Sequence, residues 1–190
     1  MEMSAAQPIR KIEDINNLKN YYLEKEEYRN YLFVVLSLNT ALRVCDVLKL
    51  KWSDIMSDDG KRFKRHIYLE EKKTGKHTAV FINRQIKKAV KLYISKCSIQ
   101  GEYVIANKHG NPLSRCQAFK IVSYAGAECG IEGRISCHSL RKTFGYHAWK
   151  NGTPPAVLMQ IYNHSSYEIT KRYLGIMQDD KDAVFKVVEL

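Results

Sequence analysis

A chain of 190 residues with 45% hydrophobic side chains suits one domain able to bury a sizeable core. Thirty-one Lys and Arg stand against 20 Asp and Glu, and the formal net charge of +11 favours a polyanionic partner. No apolar run is long enough to span a bilayer and no basic-then-apolar leader opens the chain, so a membrane protein is excluded and the cytoplasm is the expected compartment. Residues 1–10 read as an irregular lead-in containing Pro8. Residues 12–26 read as a helix with Ile12, Ile15, Leu18 and Tyr22 on one face. Residues 28–42 are apolar almost all round, which predicts a helix buried on every side. Arg43 follows it, and a short helix over 44–50 carries Asp46.

From about Trp52 the pattern changes. Asp58-Asp59-Gly60 is a turn signal, and residues 66–71 and 77–82 alternate, with Thr74-Gly75 between them. This predicts a β-hairpin with Lys73 at the edge of its turn. Residues 85–97 form the clearest amphipathic helix, with Ile86, Ala89, Val90, Tyr93, Ile94 and Cys97 at helical spacing. Lys87, Lys88, Lys91 and Lys96 fall on its solvated side. A short extended segment over 103–106 and a turn at Gly110-Asn111-Pro112 come next. Helices follow over 114–128, with Ser114 as N-cap, and over 138–150. A proline-led helix over 154–161 precedes a capping box at Ser165-Ser166-Tyr167-Glu168, which opens a helix carrying Tyr173. A last helix from about residue 180 to 188 puts Val184, Val187 and Val188 on one face. The predicted fold class is mainly α with a small antiparallel β-sheet, an α+β chain without repeat or linker.

The five cysteines are odd in number and show no Cys-x-x-Cys spacing, so they read as reduced core residues. Cys137 beside His138 has no second ligand pair, so no metal and no cofactor is expected. The chemistry lies elsewhere. His138 and Arg141 are three positions apart, on one face of a helix. An arginine fork can hold two phosphate oxygens, although the same spacing also suits a plain surface pair. Arg43, flanked by Leu42, Val44 and Val47, reads as partly buried and paired with Asp46. Lys73 is an exposed lysine able to act as a proton donor, with Lys72 and Lys76 as rivals. His164 precedes a helix start, where anions bind. Tyr173 lies about two turns into that helix, and a phenol needs nearby cations to react near neutral pH.

In this order, Arg43, Lys73, His138-Ser139-Leu140-Arg141, His164 and Tyr173 resemble the catalytic domain of the tyrosine recombinases, the phage integrase family. Thr40-Ala41-Leu42-Arg43, then Asp46 and Leu48-x-Leu50-x-Trp52-x-Asp54-Ile55, resemble the family's first arginine motif. Asn163-His164-Ser165-Ser166 with Thr170 and Tyr173 resembles its last. The resemblance spans about residues 10–180. Ala41 replaces a common Gly, and Asn163 stands where Gly usually precedes the histidine. Only about 40 residues precede Arg43, so the expectation is a single catalytic domain over 1–190 without the family's N-terminal core-binding domain.

The resemblance implies site-specific cutting and rejoining of double-stranded DNA through a 3′-phosphotyrosyl intermediate. Arg43 and Arg141 would bind the scissile phosphate, and His164 would add a hydrogen bond. Tyr173 would attack, Lys73 would protonate the leaving 5′ oxygen, His138 would assist proton transfer and Asp46 would steady the site. It further implies a monomer when free and a homotetramer on two DNA duplexes, joined by the tail helix. A type IB topoisomerase and a DNA-binding regulator that has lost cleavage are the alternatives.

Overall fold

The computed structural model describes residues 6–70, 77–176 and 178–188, and among these it has ten helices and one two-stranded sheet. Chain order is α1 (Ile12–Glu24), α2 (Tyr28–Thr40), α3 (Val44–Val47), α4 (Trp52–Ile55), β1 (His66–Glu70), β2 (His77–Phe81), α5 (Arg84–Lys96) and α6 (Arg115–Glu128). Then follow α7 (Cys137–Lys150), α8 (Pro155–Tyr162), α9 (Tyr167–Leu174) and α10 (Gln178–Val187). This is the mainly helical α+β architecture that the pattern implies.

Helix α2 is the axis of the fold. Leu32, Phe33, Val34, Val35 and Leu36 are all buried, as a helix apolar all round requires. It packs against α1, α5 and α7. The strands β1 and β2 pair antiparallel with His66 opposite Phe81 and Glu70 opposite His77. Ile67 is buried and Leu69, Thr78 and Val80 are half-buried on the inner face. The turn between the strands, including Lys72, Lys73 and Lys76, lies outside the described residues.

Several boundaries differ from the periodicity for backbone reasons. Helix α1 stops at Glu24 because Glu26 adopts a left-handed conformation, φ 55°. The expected helix over 44–50 is shorter, and a separate turn, α4, follows it. Asp54 accepts the Lys51 backbone N–H at 2.8 Å and so opens that turn. The extended segment after Gly101 is not a full strand, but it pairs with the stretch before α4: Trp52 N–H donates to Glu102 C=O at 2.9 Å and Val104 N–H to Leu50 C=O at 2.8 Å. Helix α9 is capped by Ser166, which accepts from Ile169 N–H, so a one-way cap one residue later replaces the expected box from Ser165 to Glu168.

A second, smaller core joins Ala41, Leu158, Tyr162 and Leu174, with Phe144, Ala148, Trp149, Tyr173 and Ile176 around it. It binds α7, α8 and α9 to the end of α2. Two of its joints are left-handed. Ala41, the C-cap of α2, has φ 56°, and Asn163, the C-cap of α8, has φ 58°. These are the two positions where the resemblance leads one to expect a glycine. Asn adopts this conformation with little cost, whereas Ala is strained by its Cβ.

Ala41→Gly should therefore raise stability by about 1 kcal/mol, relief of left-handed strain exceeding the extra backbone entropy of Gly. Asn163→Gly should change it much less. Urea unfolding of both variants checks this; a less stable Ala41→Gly protein contradicts the strain at that joint.

Candidate active site

Helix α7 begins with a reciprocal cap: Ser136 Oγ accepts Ser139 N–H, and Ser139 Oγ accepts Ser136 N–H at 3.2 Å. This cap sets His138 in the first turn, with Arg141 and Lys142 one turn on. Helix α8 ends at Tyr162, the left-handed Asn163 reverses the chain, and His164 follows before α9 starts. Tyr173 lies in the last turn of α9.

These elements bring four of the sequence-predicted residues together. The Tyr173 hydroxyl is 3.3 Å from His138 Nδ1. Its ring centroid lies 4.8 Å from that of His138 and 4.6 Å from that of His164, both edge-on. The Arg141 guanidinium sits 5.8 Å from the Tyr173 ring centre. A chance pattern would have left these groups scattered over the surface.

Arg141 is 5% exposed and is held by backbone. One terminal nitrogen donates to Ala41 C=O and the other to Tyr162 C=O at 3.2 Å. Both acceptors lie at the C-terminal ends of helices, where partial negative charge gathers. A guanidinium has five N–H donors, so these two bonds leave three. Its Nε has no partner among the described residues.

Arg43 is exposed, not partly buried as its apolar neighbours suggest, because it leaves the chain at the N-cap of α3 with its side chain turned from the core. Its charge nevertheless reaches His164. Asp46 is half-buried on α3, and its Oδ1 accepts the Cys45 thiol at 3.6 Å. Lys73 lies outside the described residues.

Sequence reasoning gave no role to the residues that hold this cluster. Tyr162 is 1% exposed, donates to Arg141 C=O at 2.8 Å, and stacks on His164 with centroids 5.2 Å apart. Burial pushes its phenol up, away from ionisation. Gly145 makes room for that hydroxyl, since a Cβ there would overlap it. Thr170, fully buried, lies with its Oγ1 3.0 Å from His164 Nδ1. With Thr170 as donor, the imidazole proton sits on Nε2, free to donate outward. Only Thr170 had a sequence signal, as part of the last motif; the others show only as an aromatic and a glycine in helical stretches.

The site is buried and cationic, and both suppress imidazole charge. Burial, then Arg141, Arg43 and His138, pull His164 down from 6.5 to about 4. His138 is also lowered, first by its burial and then by Lys142 and Arg141. Both rings are thus neutral near pH 7. Burial raises the Cys137 thiol to about 11, which leaves it inert beside His138.

This has a consequence for stability. Between pH 6.5 and about 4 the unfolded chain binds a proton at His164 that the folded chain refuses. Stability should therefore fall as pH falls through that window, with His138 acting in the same direction. Thermal midpoints measured across it should decline less steeply for His164→Gln; an unchanged slope would remove His164 as a source.

The sequence profile of the phage integrase family matches residues 9–179. The chain is 38% identical over 186 residues to a probable integrase/recombinase, YoeC, of Bacillus subtilis, covering 97% of this chain and 98% of that one. It is 28% identical over 151 residues to the tyrosine recombinase XerD of Listeria innocua, covering 77% of this chain and 50% of XerD. A solved structure of the XerH site-specific recombinase, bound to a palindromic difH substrate after cleavage, shares the fold with a TM-score of 0.77 at 17% identity. That match covers 97% of this chain and 54% of XerH, so the chain spans nearly all of the first relative and about half of the other two. Family profile, close relative and shared fold agree with the clustered side chains: the chain belongs to the phage integrase family, the tyrosine recombinases.

Proposed function

We propose that this protein recombines double-stranded DNA at specific sites, using Tyr173 as the nucleophile of a 3′-phosphotyrosyl intermediate. The observation that carries the assignment is the Tyr173 hydroxyl, 3.3 Å from a neutral imidazole and beside a buried arginine. Its neighbours fit the role less well. Tyr162 is buried and committed to Arg141 C=O, and Tyr167 sits exposed in the first turn of α9.

The chemistry follows from the side chains. The Tyr173 oxygen forms a bond to phosphorus as the bond to the 5′ oxygen breaks, and its proton passes to His138. Arg141 and Arg43 offer N–H donors to the non-bridging oxygens, where charge grows in the transition state. His164, neutral, adds a donor without competing for charge when Thr170 donates to its Nδ1 and its proton is on Nε2. The leaving 5′ oxygen needs a proton, which we assign to Lys73. Asp46 steadies the segment after Arg43. The covalent bond conserves the phosphodiester energy, so a second 5′-hydroxyl can reverse the step without ATP.

The net charge of +11 supports a DNA partner, bound mainly through phosphates. We assign residues 1–190 to a single catalytic domain acting in the cytoplasm. A topoisomerase or a cleavage-deficient regulator would share the fold; the two relatives described above, named as an integrase/recombinase and a tyrosine recombinase, favour recombination. Assembly is proposed from the tail. Helix α10 is tied to the body through Asp180, which accepts from Arg10 at 3.1 Å, Lys150 at 3.2 Å and the Tyr146 hydroxyl at 3.3 Å. The valine face expected to dock stays exposed, and Phe185 and Val187 are 78% and 83% exposed. In this proposal that face meets a neighbouring protomer in a ring of four on two duplexes.

Tyr173→Phe should abolish covalent adduct on a nicked suicide duplex while leaving DNA affinity nearly unchanged; adduct from the Phe variant would show another nucleophile. Val184→Asp with Val188→Asp should leave folding and binding of a single site intact, since both side chains are exposed, but lower strand exchange between two duplexes by about tenfold or more, as loss of an interface core does. Normal exchange would remove the tail from assembly.

A further inference from the structure

Helix α9 is eight residues long and carries Tyr173 in its last turn. So short a helix is marginal by itself. Its last four carbonyls, those of residues 171–174, find no amide within the helix. The negative end of its dipole gathers there.

Two cations close on this end. Arg10 donates to the carbonyl of Gly175, the left-handed cap. Lys142, on α7, directs its ammonium to Arg172 C=O at 3.5 Å, the long end of hydrogen-bond range. The same ammonium lies 5.5 Å from the centre of the Tyr173 ring, within reach of its π face.

Lys142 is 7% exposed, and no carboxylate among the described residues forms an ion pair with it. Burial holds its pKa below the ordinary lysine value. A buried lysine is costly, and a methionine would fill the same space without that cost. Beyond its share in lowering His138, no step of the recombination chemistry set out above uses it. Its position does account for it. Lys142 is four residues after His138, so both project from one face of α7 towards α9. His138 meets the phenol oxygen; Lys142 meets the backbone just before the same residue.

We propose that Lys142 is a positioning residue that pins the last turn of α9 to α7 through Arg172 C=O, and so holds the Tyr173 phenol against His138. The inference rests on the reading of Tyr173 as nucleophile. A shift of about 1 Å in a reacting group is enough to cost on the order of 10²-fold in rate, so a backbone pin one residue away matters.

The test uses the full chain with Lys142→Met and Lys142→Arg, measured two ways. Amide hydrogen exchange on the free protein reads the pin directly. Amides of α9's last turn should exchange about tenfold faster in the Met variant and near the parent rate in the Arg variant, which keeps a cationic donor. Single-turnover adduct formation, on a nicked duplex that the parent protein cleaves, should fall about tenfold or more in the Met variant and recover in the Arg variant. DNA affinity and thermal midpoint of the Met variant should match the parent, because a buried charge has been replaced by an apolar chain. Unchanged exchange in α9, or adduct formation at the parent rate, overturns the proposal. So does a Met variant that unfolds or loses affinity and adduct in step, which would make Lys142 a packing residue only. Exchange needs no cleavage: if Tyr173→Phe still formed adduct, the nucleophile assignment would fall while the exchange result still judged the pin.

Discussion

The buried guanidinium of Arg141 sits between two helix ends, and the arrangement of the site depends on that contact. Its two terminal nitrogens bind Ala41 C=O, at the end of α2, and Tyr162 C=O, at the end of α8. Each carbonyl lies at a left-handed joint, Ala41 itself and Asn163 just after Tyr162. Those joints turn the chain so that Arg43 and His164, which follow them closely, leave towards the same space. One side chain thus connects three stretches far apart in sequence. The cost is an arginine almost removed from water, and the helix-end carbonyls offset it.

Around this contact the second core is built of rings. Tyr162 stacks on His164, and Tyr173 meets both histidines edge-on. Packing and electrostatics act together here. Burial among the rings is the first cause that keeps both imidazoles neutral; Arg141 adds to it at each, with Arg43 at His164 and Lys142 at His138. A neutral His138 can accept a proton; a neutral His164 can donate a hydrogen bond without adding charge. Gly145 is the small residue that permits the fit, because its missing Cβ leaves room for the Tyr162 hydroxyl.

The tail follows a different logic. Its apolar face was the feature expected to find a surface, yet the contact made is polar. Asp180 is buried among Arg10, Lys150 and Tyr146, and Arg10 also caps α9 at Gly175. The segment before α1, the end of α9 and the tail therefore meet at one charged joint. Ile9 adds to it, its N–H donating to Thr143 and its C=O contacting His147.

Local pattern determined much of this protein. The buried α2, the amphipathic α5, the Ser114 cap of α6 and the alternation of β1 and β2 all follow from periodicity and capping, which act over a few residues. The site residues were legible as a set because their chemistry is rare in combination. What the sequence could not decide was where non-local contacts lie. That Tyr162 supports Arg141, that Lys142 reaches Arg172 C=O, and that Arg43 is exposed depend on how α2, α7, α8 and α9 pack, not on neighbours in the chain. Helix ends were misjudged at Glu26 and over 44–50 because φ at a single residue, or one carboxylate cap, overrides periodicity. The sequence specified which groups are present; only tertiary packing, which buries Arg141 and stacks the rings, set their distances and their protonation.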